Sequence, residues 1–399
     1  MIGVGRVSEN SSIVITRIRL VSKRLVLLYF QSNDGEVLNM TARARIGIVG
    51  TGWRAEFYIR IAQALPNEFE IVGVVARRPE NAENMRKNWS ISTYSTLSEL
   101  IAKTNPDYII TSVSWNSNPG VLEECVSNSI PVLSETPPAP DLDALRKLWS
   151  EIGSKQLVQV AEQYMYLPGH AARKTVIDRG DIGTPSSVHV SSTHGYHATS
   201  IIRGYLGLPM GEVQVHASMF TASLVDPLSR TGWNEDLAPK PARTTLATID
   251  FGDGKSALYD FTDNQWHNQL RLRRILIRGS EGEIADDTII RLRKPNAITK
   301  SQFNRYQLGQ DLNLDGHDTD HISLDGEVVY MNPFVGCRFM DEEIAIASMM
   351  RGMSLWIAEE GPEPYSLAQA AQDLLISLAI DESLLTGNRV QTKKEAWVS

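Results

Sequence analysis

The stretch RIGIVGTGWRA, Arg45 to Ala55, decides the fold of this chain. It begins as a short apolar run, typical of a buried strand, and passes through Gly50 and Gly52 into a helical pattern that continues to Ala64. In such a strand–turn–helix unit the first glycine permits a tight turn, and the second lets the backbone approach a pyrophosphate. A glycine-rich turn without a ligand is the alternative. We predict that a dinucleotide binds at this helix N-terminus, through Gly50, Thr51, Gly52, Trp53, Arg54 and Ala55.

The pattern downstream of this unit separates the chain into two regions. Apolar strand candidates alternate with helix candidates up to Ala161, which predicts a parallel, doubly wound sheet. Beyond Glu162, strand–turn–strand signals such as the Asp253-Gly254 turn predict a mostly antiparallel sheet. Two long helices follow, the second running from a Ser366 capping box to Gly387. We therefore expect an α/β protein with an N-terminal extension (1–43), a Rossmann domain (44–161) and an α+β domain (162–399).

The bulk composition excludes several classes of protein. The 399 residues carry a formal net charge of −8, which favours neither a nucleic-acid nor an anionic-membrane partner. The two cysteines, Cys125 and Cys337, argue against a disulfide-built secreted fold and for a reducing compartment. The basic segment Met1–Phe30 lacks the uninterrupted apolar core of a secretory signal, although a transit peptide stays open. We expect a cytoplasmic protein.

The end of the second predicted strand carries information on the cofactor. A site for NAD usually has an acidic residue there, which binds the ribose hydroxyls. This chain has Ala76-Arg77-Arg78 instead. A guanidinium suits the 2′-phosphate of NADP through a charge-assisted contact, whereas the alternative is a solvated basic turn. The sequence therefore favours NADP over NAD, with Arg77 and Arg78 as cofactor-binding residues.

Two histidines lie three residues apart in THGYHATSIIRGYLG, Thr193 to Gly207, where a strand pattern gives way to a helix pattern. An imidazole titrates near neutrality, as acid/base chemistry requires. On residue type alone, a core histidine with satisfied hydrogen bonds is the favoured interpretation of His197. A metal site needs further ligands, and none stand nearby in the sequence.

The order of these elements resembles the glucose–fructose oxidoreductase/inositol dehydrogenase (Gfo/Idh/MocA) family from about Ala44 onward. The resemblance rests on five segments: IGIVGTGWRA (46–55), VLSETPPAP (132–140), IDRGDIGTP (177–185), HGYHATSIIRGYLG (194–207) and YSLAQAAQDLLISLAIDES (365–383). It implies a Rossmann domain, and an α/β domain with an open sheet that binds substrate and forms homodimers or homotetramers. It also implies hydride transfer between NAD(P) and a hydroxyl or carbonyl carbon of a sugar or cyclitol.

The resemblance also implies roles for single residues near the nicotinamide. Where the family has Glu-Lys-Pro, this chain has Glu135-Thr136-Pro137, so Glu135 and Pro137 are expected to bind cofactor. Thr136 stands at the position of the catalytic lysine but carries no cation. Asn116 follows the fourth strand, where the family has a Pro-Asn pair, and is a further cofactor candidate.

Other family positions lie in the substrate half of the site. The family motif Gly-x-His-x-x-Asp makes His197 the acid/base candidate and places Ser200 at the position of the aspartate. His194 is expected to contact substrate or to pack. Glu162, Tyr164 and Tyr166 alternate along a strand-like path, so we expect one shared face that lines the sugar pocket or packs between domains.

Other interpretations stay open at this point. The segment Asp311–Ile322 resembles a calcium loop but has Ile322 in place of the bidentate acid, so we predict an exposed loop and no metal. The changes at Thr136 and Ser200 leave room for a redox-assisted glycosidase or lyase that retains NAD. They also leave room for a non-catalytic, nucleotide-binding regulatory protein.

Overall fold

The N-terminal sheet is parallel throughout. The structure is a computed structural model that describes residues 43–229, 232–309 and 318–398. The strands of this sheet are β1 (Ala44–Val49), β2 (Phe69–Val75), β3 (Thr93–Tyr94), β4 (Tyr108–Thr111), β5 (Val132–Ser134) and β6 (Val158–Val160). Their order is β3-β2-β1-β4-β5-β6, which is the doubly wound arrangement. The order reverses between β1 and β4, so a crevice for a ligand opens at the carboxyl ends of these two strands.

Helices cover both faces of this sheet because its strands are apolar on both sides. They are α1 (Trp53–Ala64), α2 (Pro79–Trp89), α3 (Leu97–Thr104), α4 (Asn118–Ser127) and α5 (Leu142–Ile152), with a 3₁₀ turn at Gly153–Lys155. Ile46, Ile48 and Ile110 are fully buried. The Thr96 side chain caps α3 by accepting a hydrogen bond from the Glu99 N–H.

The chain leaves the first sheet through a segment that differs from its prediction. The strand-like path expected from Glu162 to Tyr166 is wrong, because β6 ends at Val160 and Tyr164–Tyr166 form a 3₁₀ helix. This tight turn leads directly into helix α6 (Pro168–Asp178), which Pro168 starts at its first position. The polar side chains of this segment therefore do not share one strand face.

The second sheet is mostly antiparallel, as predicted; β7 and β12 pair in parallel. Its strands are β7 (Pro185–Ser191), β8 (Gln214–Leu224), β11 (Lys240–Gly252), β12 (Lys255–Thr262), β13 (Arg274–Gly279), β14 (Gly282–Ala285), β15 (Thr288–Lys294), β16 (Ala297–Gln307), β17 (Thr319–Leu324), β18 (Glu327–Met331) and β19 (Val390–Gln391). A separate pair consists of β9 (Leu228–Ser229) and β10 (Gly232–Trp233). The predicted hairpin turn is confirmed, with positive φ at both Asp253 and Gly254.

Three more helices complete the second region: α7 (Gly195–Leu206), α8 (Asp341–Ile357) and α9 (Leu367–Thr386). The last ends at Gly387, which has a left-handed conformation, as predicted. The sheet face opposite the buried side chains exposes large apolar residues, including Phe220, Leu246 and Leu258. None of the helices in the described ranges is long and apolar enough to cross a membrane.

Two segments singled out in the sequence lie outside the described residues. One is the N-terminal extension up to residue 42, and the other is residues 310–317 of the calcium-like loop.

Candidate active site

The glycine loop forms the turn that its sequence predicts. Gly50 follows β1 with φ +115°, and a Cβ there would lie 2.0 Å from the Ser112 carbonyl oxygen across the crevice. Gly52 is the N-cap of α1, and a Cβ on it would meet no heavy atom within 4 Å. The first position therefore demands glycine for the turn, while the second leaves a space beside the helix N-terminus that suits a phosphate group.

A cavity of about 1020 Å³ extends from this loop along the carboxyl ends of β1, β2 and β4. Its lining includes Gly50, Thr51 and Gly52 of the glycine loop, and Arg77 and Arg78 of the turn after β2. Both arginine side chains are exposed to this space. The cavity, which we call the nucleotide groove, is in the size range of cofactor sites.

The residues after Gly52 divide between two environments. Trp53 is half exposed and packs edge-on against Phe57. Ala55 is fully buried, as expected of the small residue that brings helix and strand together. The Arg54 side chain instead reaches the end of β5, with its Nε 3.7 Å from Glu135 Oε1, and pairs with Glu342 of α8 at 2.8 Å.

The Glu135-Thr136-Pro137 turn lies next to this arginine. The Tyr58 hydroxyl donates a hydrogen bond to Glu135. Burial raises the pKa of the Glu135 carboxyl, while the charge of Arg54 and the Tyr58 hydrogen bond oppose that increase. The Thr136 side chain is within hydrogen-bonding reach of the Tyr196 hydroxyl. The neutral hydroxyls of Thr136 and Tyr196 thus stand where the family has its lysine. The guanidinium of Arg54 lies nearby, next to Glu135.

The asparagine that fixes this turn is one that the sequence analysis missed. Asn118 is buried and donates to Ser134 Oγ at 2.9 Å and to the Pro137 carbonyl at 3.4 Å. The predicted Asn116 is exposed in the loop before α4, and the residues that line the nucleotide groove do not include it. The Asn118-Pro119 pair at the start of α4 was the signal that could have identified it.

His197 lies in the first turn of α7, deep in the molecule. Its Nδ1 is 2.6 Å from Oε2 of Glu162, and the two side chains are 10% and 3% exposed. The rings of Tyr164 and Tyr196 lie 4.6 and 4.4 Å from its imidazole. His197 also contributes to the electrostatic environment of Glu135. The structure thus brings the predicted acid/base residue together with the predicted cofactor turn.

His194 is adjacent to His197 but has a different environment. Its ring lies 5.3 Å from that of His197 and 5.4 Å from that of Trp266. Burial lowers the pKa of His194 to about 4, so it is neutral near pH 7. It lines a second cavity of about 270 Å³ together with Trp115 and Tyr196. A neutral ring at a cavity wall suits contact with a hydroxyl group.

The remaining predicted substrate residues are dispersed. The Tyr164 hydroxyl accepts from Thr193 Oγ1 at 2.7 Å, and the Tyr166 hydroxyl donates to the Pro364 carbonyl at 3.0 Å. Ser200 is buried and donates to the His197 carbonyl of its own helix at 2.9 Å. The side chain at the aspartate position of the family therefore bonds within α7.

A buried ion pair under the site was not predicted. Arg203 of α7 donates to Asp373 of α9 at 2.7 Å and to Gln369 Oε1 at 2.5 Å. Tyr365 also donates to Asp373. Burial raises the pKa of Asp373 to about 6, although Arg203 and Tyr365 oppose the increase. We call Arg203, Tyr365, Gln369 and Asp373 the α7–α9 network; their spacing in sequence gave no signal of it.

The strand order and glycine loop place the chain in the class of dinucleotide-binding Rossmann proteins. The sequence model described as "Oxidoreductase family, NAD-binding Rossmann fold" (Gfo/Idh/MocA) matches residues 44–163. This match confirms the resemblance to the Gfo/Idh/MocA family over residues 44–163.

Curated relatives match about a third of the chain. They include the uncharacterized protein YMR315W of Saccharomyces cerevisiae, 29% identical over 34% of this chain and 40% of that protein. An inositol 2-dehydrogenase of Rubrobacter xylanophilus is 27% identical over 36% of this chain and 42% of its own length. The chain thus matches about 40% of the length of these relatives.

Solved structures extend the likeness of fold to most of the chain. An oxidoreductase of Agrobacterium radiobacter in complex with NAD+, L-tartaric acid and magnesium has a TM-score of 0.64 and 15% identity, covering 88% of this chain and 98% of that one. A levoglucosan dehydrogenase in complex with NADH and levoglucosan has a TM-score of 0.63 and 16% identity, covering 88% and 100%. At these identities the likeness shows the fold.

Proposed function

We propose that this protein is an NAD(P)-dependent oxidoreductase that transfers a hydride to or from a hydroxyl or carbonyl carbon of a sugar or cyclitol. The observation that carries the proposal is the position of His197, paired with a carboxylate and lying beside the Glu135-Thr136-Pro137 turn that follows β5. Relatives named inositol 2-dehydrogenase and levoglucosan dehydrogenase support the substrate class.

The residues of the groove fit a dinucleotide. Gly52 leaves the space that a Cβ would occupy open, and the N-terminus of α1 presents N–H groups to an anion. The cofactor, when bound, supplies the hydride donor or acceptor. Arg77 and Arg78, which line the groove after β2, support NADP, because neither position offers the carboxylate that binds the ribose hydroxyls of NAD.

The chain's own residues supply proton transfer and orientation. His197 takes the hydroxyl proton during oxidation and returns it during reduction. Thr136 and Tyr196 donate hydrogen bonds to the reacting oxygen in place of the family lysine, and His194 contacts a substrate hydroxyl. Arg54 pairs with the carboxylates of Glu135 and Glu342, so its charge offsets theirs and does not replace the cation that Thr136 lacks.

We also propose that the protein works as a homodimer or homotetramer. The open face of the second sheet exposes Phe220, Leu246 and Leu258, and an exposed apolar face of this kind marks an association surface. Sedimentation of the wild type and of Leu258→Lys tests this, because a charge at the centre of an apolar interface dissociates the oligomer.

The first experiment is a fluorescence titration with NADH and NADPH, followed by a hydride-transfer assay on sugars and cyclitols. We expect tighter binding of NADPH and activity that falls at least about 100-fold in His197→Ala, since general acid–base catalysis contributes about 10²–10⁴-fold. The matched control is His321→Ala, which removes a histidine paired with Asp320 on β17, away from the groove.

The outcomes separate the competing functions. Failure to bind either nucleotide overturns the proposal. Binding without hydride transfer to any substrate indicates a regulatory protein, and slow release of a copurified cofactor indicates the redox-assisted lyase.

A further inference from the structure

Glu162 is placed where it contacts the acid/base histidine rather than the substrate. It follows β6, on the segment that joins the two sheets, whereas His197 belongs to α7. Its Oε2 is 2.6 Å from His197 Nδ1, and its side chain is 3% exposed. A carboxylate that is buried and already bonded has little surface left for a substrate hydroxyl.

This contact selects one nitrogen of the imidazole for chemistry. A carboxylate accepts hydrogen bonds, so the proton of the neutral ring lies on Nδ1 and leaves Nε2 with the free lone pair. The rings of Tyr164 and Tyr196 lie 4.6 and 4.4 Å from the imidazole and prevent it from turning over. Nε2 is then the atom that takes or gives the substrate proton.

The carboxylate that contacts His197 comes from the segment after β6 and not from α7, where the family motif has its aspartate. Ser200, one turn after His197 on α7, bonds to the His197 carbonyl and does not orient the imidazole. Glu162 lies 35 positions before His197 in the chain, so the pair forms only when the segment after β6 packs against α7. The orientation of the acid/base residue therefore depends on the contact between the two regions.

We propose that Glu162 is a positioning residue that holds His197 with Nε2 facing the substrate. This inference rests on the proposed function, because it assigns the role of His197 in that reaction. Glu162 fixes the tautomer of the neutral imidazole and stabilises the imidazolium that forms when the substrate hydroxyl loses its proton.

Other titratable groups surround the pair from every neighbouring element. They are His194, Tyr196, Tyr164, Glu135, Tyr365 and Asp373. Within the described residues, Glu162 is the carboxylate recorded in direct contact with the imidazole. Removal of the Glu162 carboxylate therefore changes the charge next to His197 more than a substitution of any of these neighbours would.

The kinetic test compares Glu162→Gln and Glu162→Asp with the wild type. We expect Glu162→Gln to lower kcat about 100-fold or more, with KM within about threefold, because orientation of the proton acceptor acts on the chemical step. The limb of the pH–rate profile that reports the acid/base group should move to lower pH, because the imidazolium loses its carboxylate partner. Glu162→Asp should retain part of kcat and restore the profile.

The matched control is Glu68→Gln, which removes a carboxylate bonded to Arg351 at 2.8 Å outside the site. Kinetics like those of wild type are expected. A Glu162→Gln variant with raised KM and unchanged kcat would make Glu162 a substrate ligand. A Glu162→Gln variant with the kinetics of wild type would overturn any role of Glu162 in the reaction.

A second measurement is independent of activity. The nitrogen shifts of His197, assigned by comparison with His197→Ala, report its tautomer by NMR. We expect a protonated Nδ1 and an unprotonated Nε2 in the neutral wild-type ring, and a mixture of tautomers in Glu162→Ala. A wild-type ring protonated on Nε2 overturns the inference, even if hydride transfer is observed. The expected tautomer without any hydride transfer would instead count against the proposed function.

Discussion

The nucleotide groove is lined by loops that lie within one continuous region, from Val49 to Glu124. The cluster of buried side chains around His197, which we call the pocket, instead draws on residues between Arg54 and Asp373. Backbone geometry shapes the groove: a positive φ at Gly50, an uncapped helix N-terminus and the reversal of strand order between β1 and β4. Buried polar pairs between distant elements shape the pocket. The comparison predicts that the two sites respond to different kinds of substitution.

The pocket should be the more sensitive of the two to loss of a single charge. Replacing Arg203 by Met leaves Asp373 buried without its partner, and breaking a buried pair in this way costs about 3–5 kcal/mol of the free energy of unfolding. The double variant Arg203→Met/Asp373→Leu should recover most of the loss, because no charge is then left unpaired. Urea unfolding followed by tryptophan fluorescence measures both.

The pH dependence of this variant has a definite sign. Burial raises the pKa of Asp373 to about 6 in the folded protein, above the unfolded-state value of about 3.9. A carboxyl of this kind binds its proton more tightly in the folded state, so its contribution to stability rises as the pH falls from about 6 towards 4. Loss of the Arg203 charge raises this pKa further, so the variant takes up the proton at a higher pH than wild type, and its deficit should shrink at pH 5 relative to pH 8. A deficit that grows at pH 5 would show that Asp373 is not the unpaired charge.

The groove should respond more strongly to added volume than to lost charge. In Gly50→Ala the new methyl group would lie 2.0 Å from the Ser112 carbonyl oxygen at a positive φ, so both folding and binding should suffer. In Gly52→Ala the methyl group meets open space, so stability should stay near that of wild type while nucleotide affinity falls about 10–100-fold through the occupied phosphate position. Thermal unfolding with and without NADPH separates the two effects. Equal affinity in Gly52→Ala and wild type would place the phosphates elsewhere.

The same contrast explains how far the sequence could predict this structure. The groove could be predicted because its determinants are local: an apolar strand, two glycines and Ala55 at fixed spacing. The α/β fold, the hairpin at Asp253-Gly254 and the caps of the last helix rest on equally local signals. After β4 the prediction favoured Asn116, whereas Asn118 is the residue that bonds to the turn after β5, because loop geometry between β4 and α4 is not set by a short motif.

The pocket could be predicted one residue at a time but not as an assembly. Family resemblance singled out His197 and Glu162, yet their contact depends on how the segment after β6 turns into α6. That turn was predicted as a strand, which placed Glu162 on a face with Tyr166. The pairing of Arg54 with Glu342 and of Arg203 with Asp373 spans 288 and 170 positions, so no local pattern could reveal it.

The smallest expected effect concerns Arg77 in the basic turn after β2. It tests whether this turn distinguishes NADP from NAD. Arg77→Gln should weaken NADPH binding about tenfold, the loss expected when one exposed charge-assisted contact disappears, and should leave NADH binding unchanged. The matched control is Arg86→Gln. Arg86 is an exposed arginine of α2, the helix that follows Arg78, and it pairs with Glu83 of the same helix. Isothermal titration with both nucleotides measures the difference. If Arg77→Gln weakens both nucleotides equally, the arginine contributes only a general positive potential. If it changes neither, the basic turn is solvated and the groove does not distinguish NADP from NAD at this position.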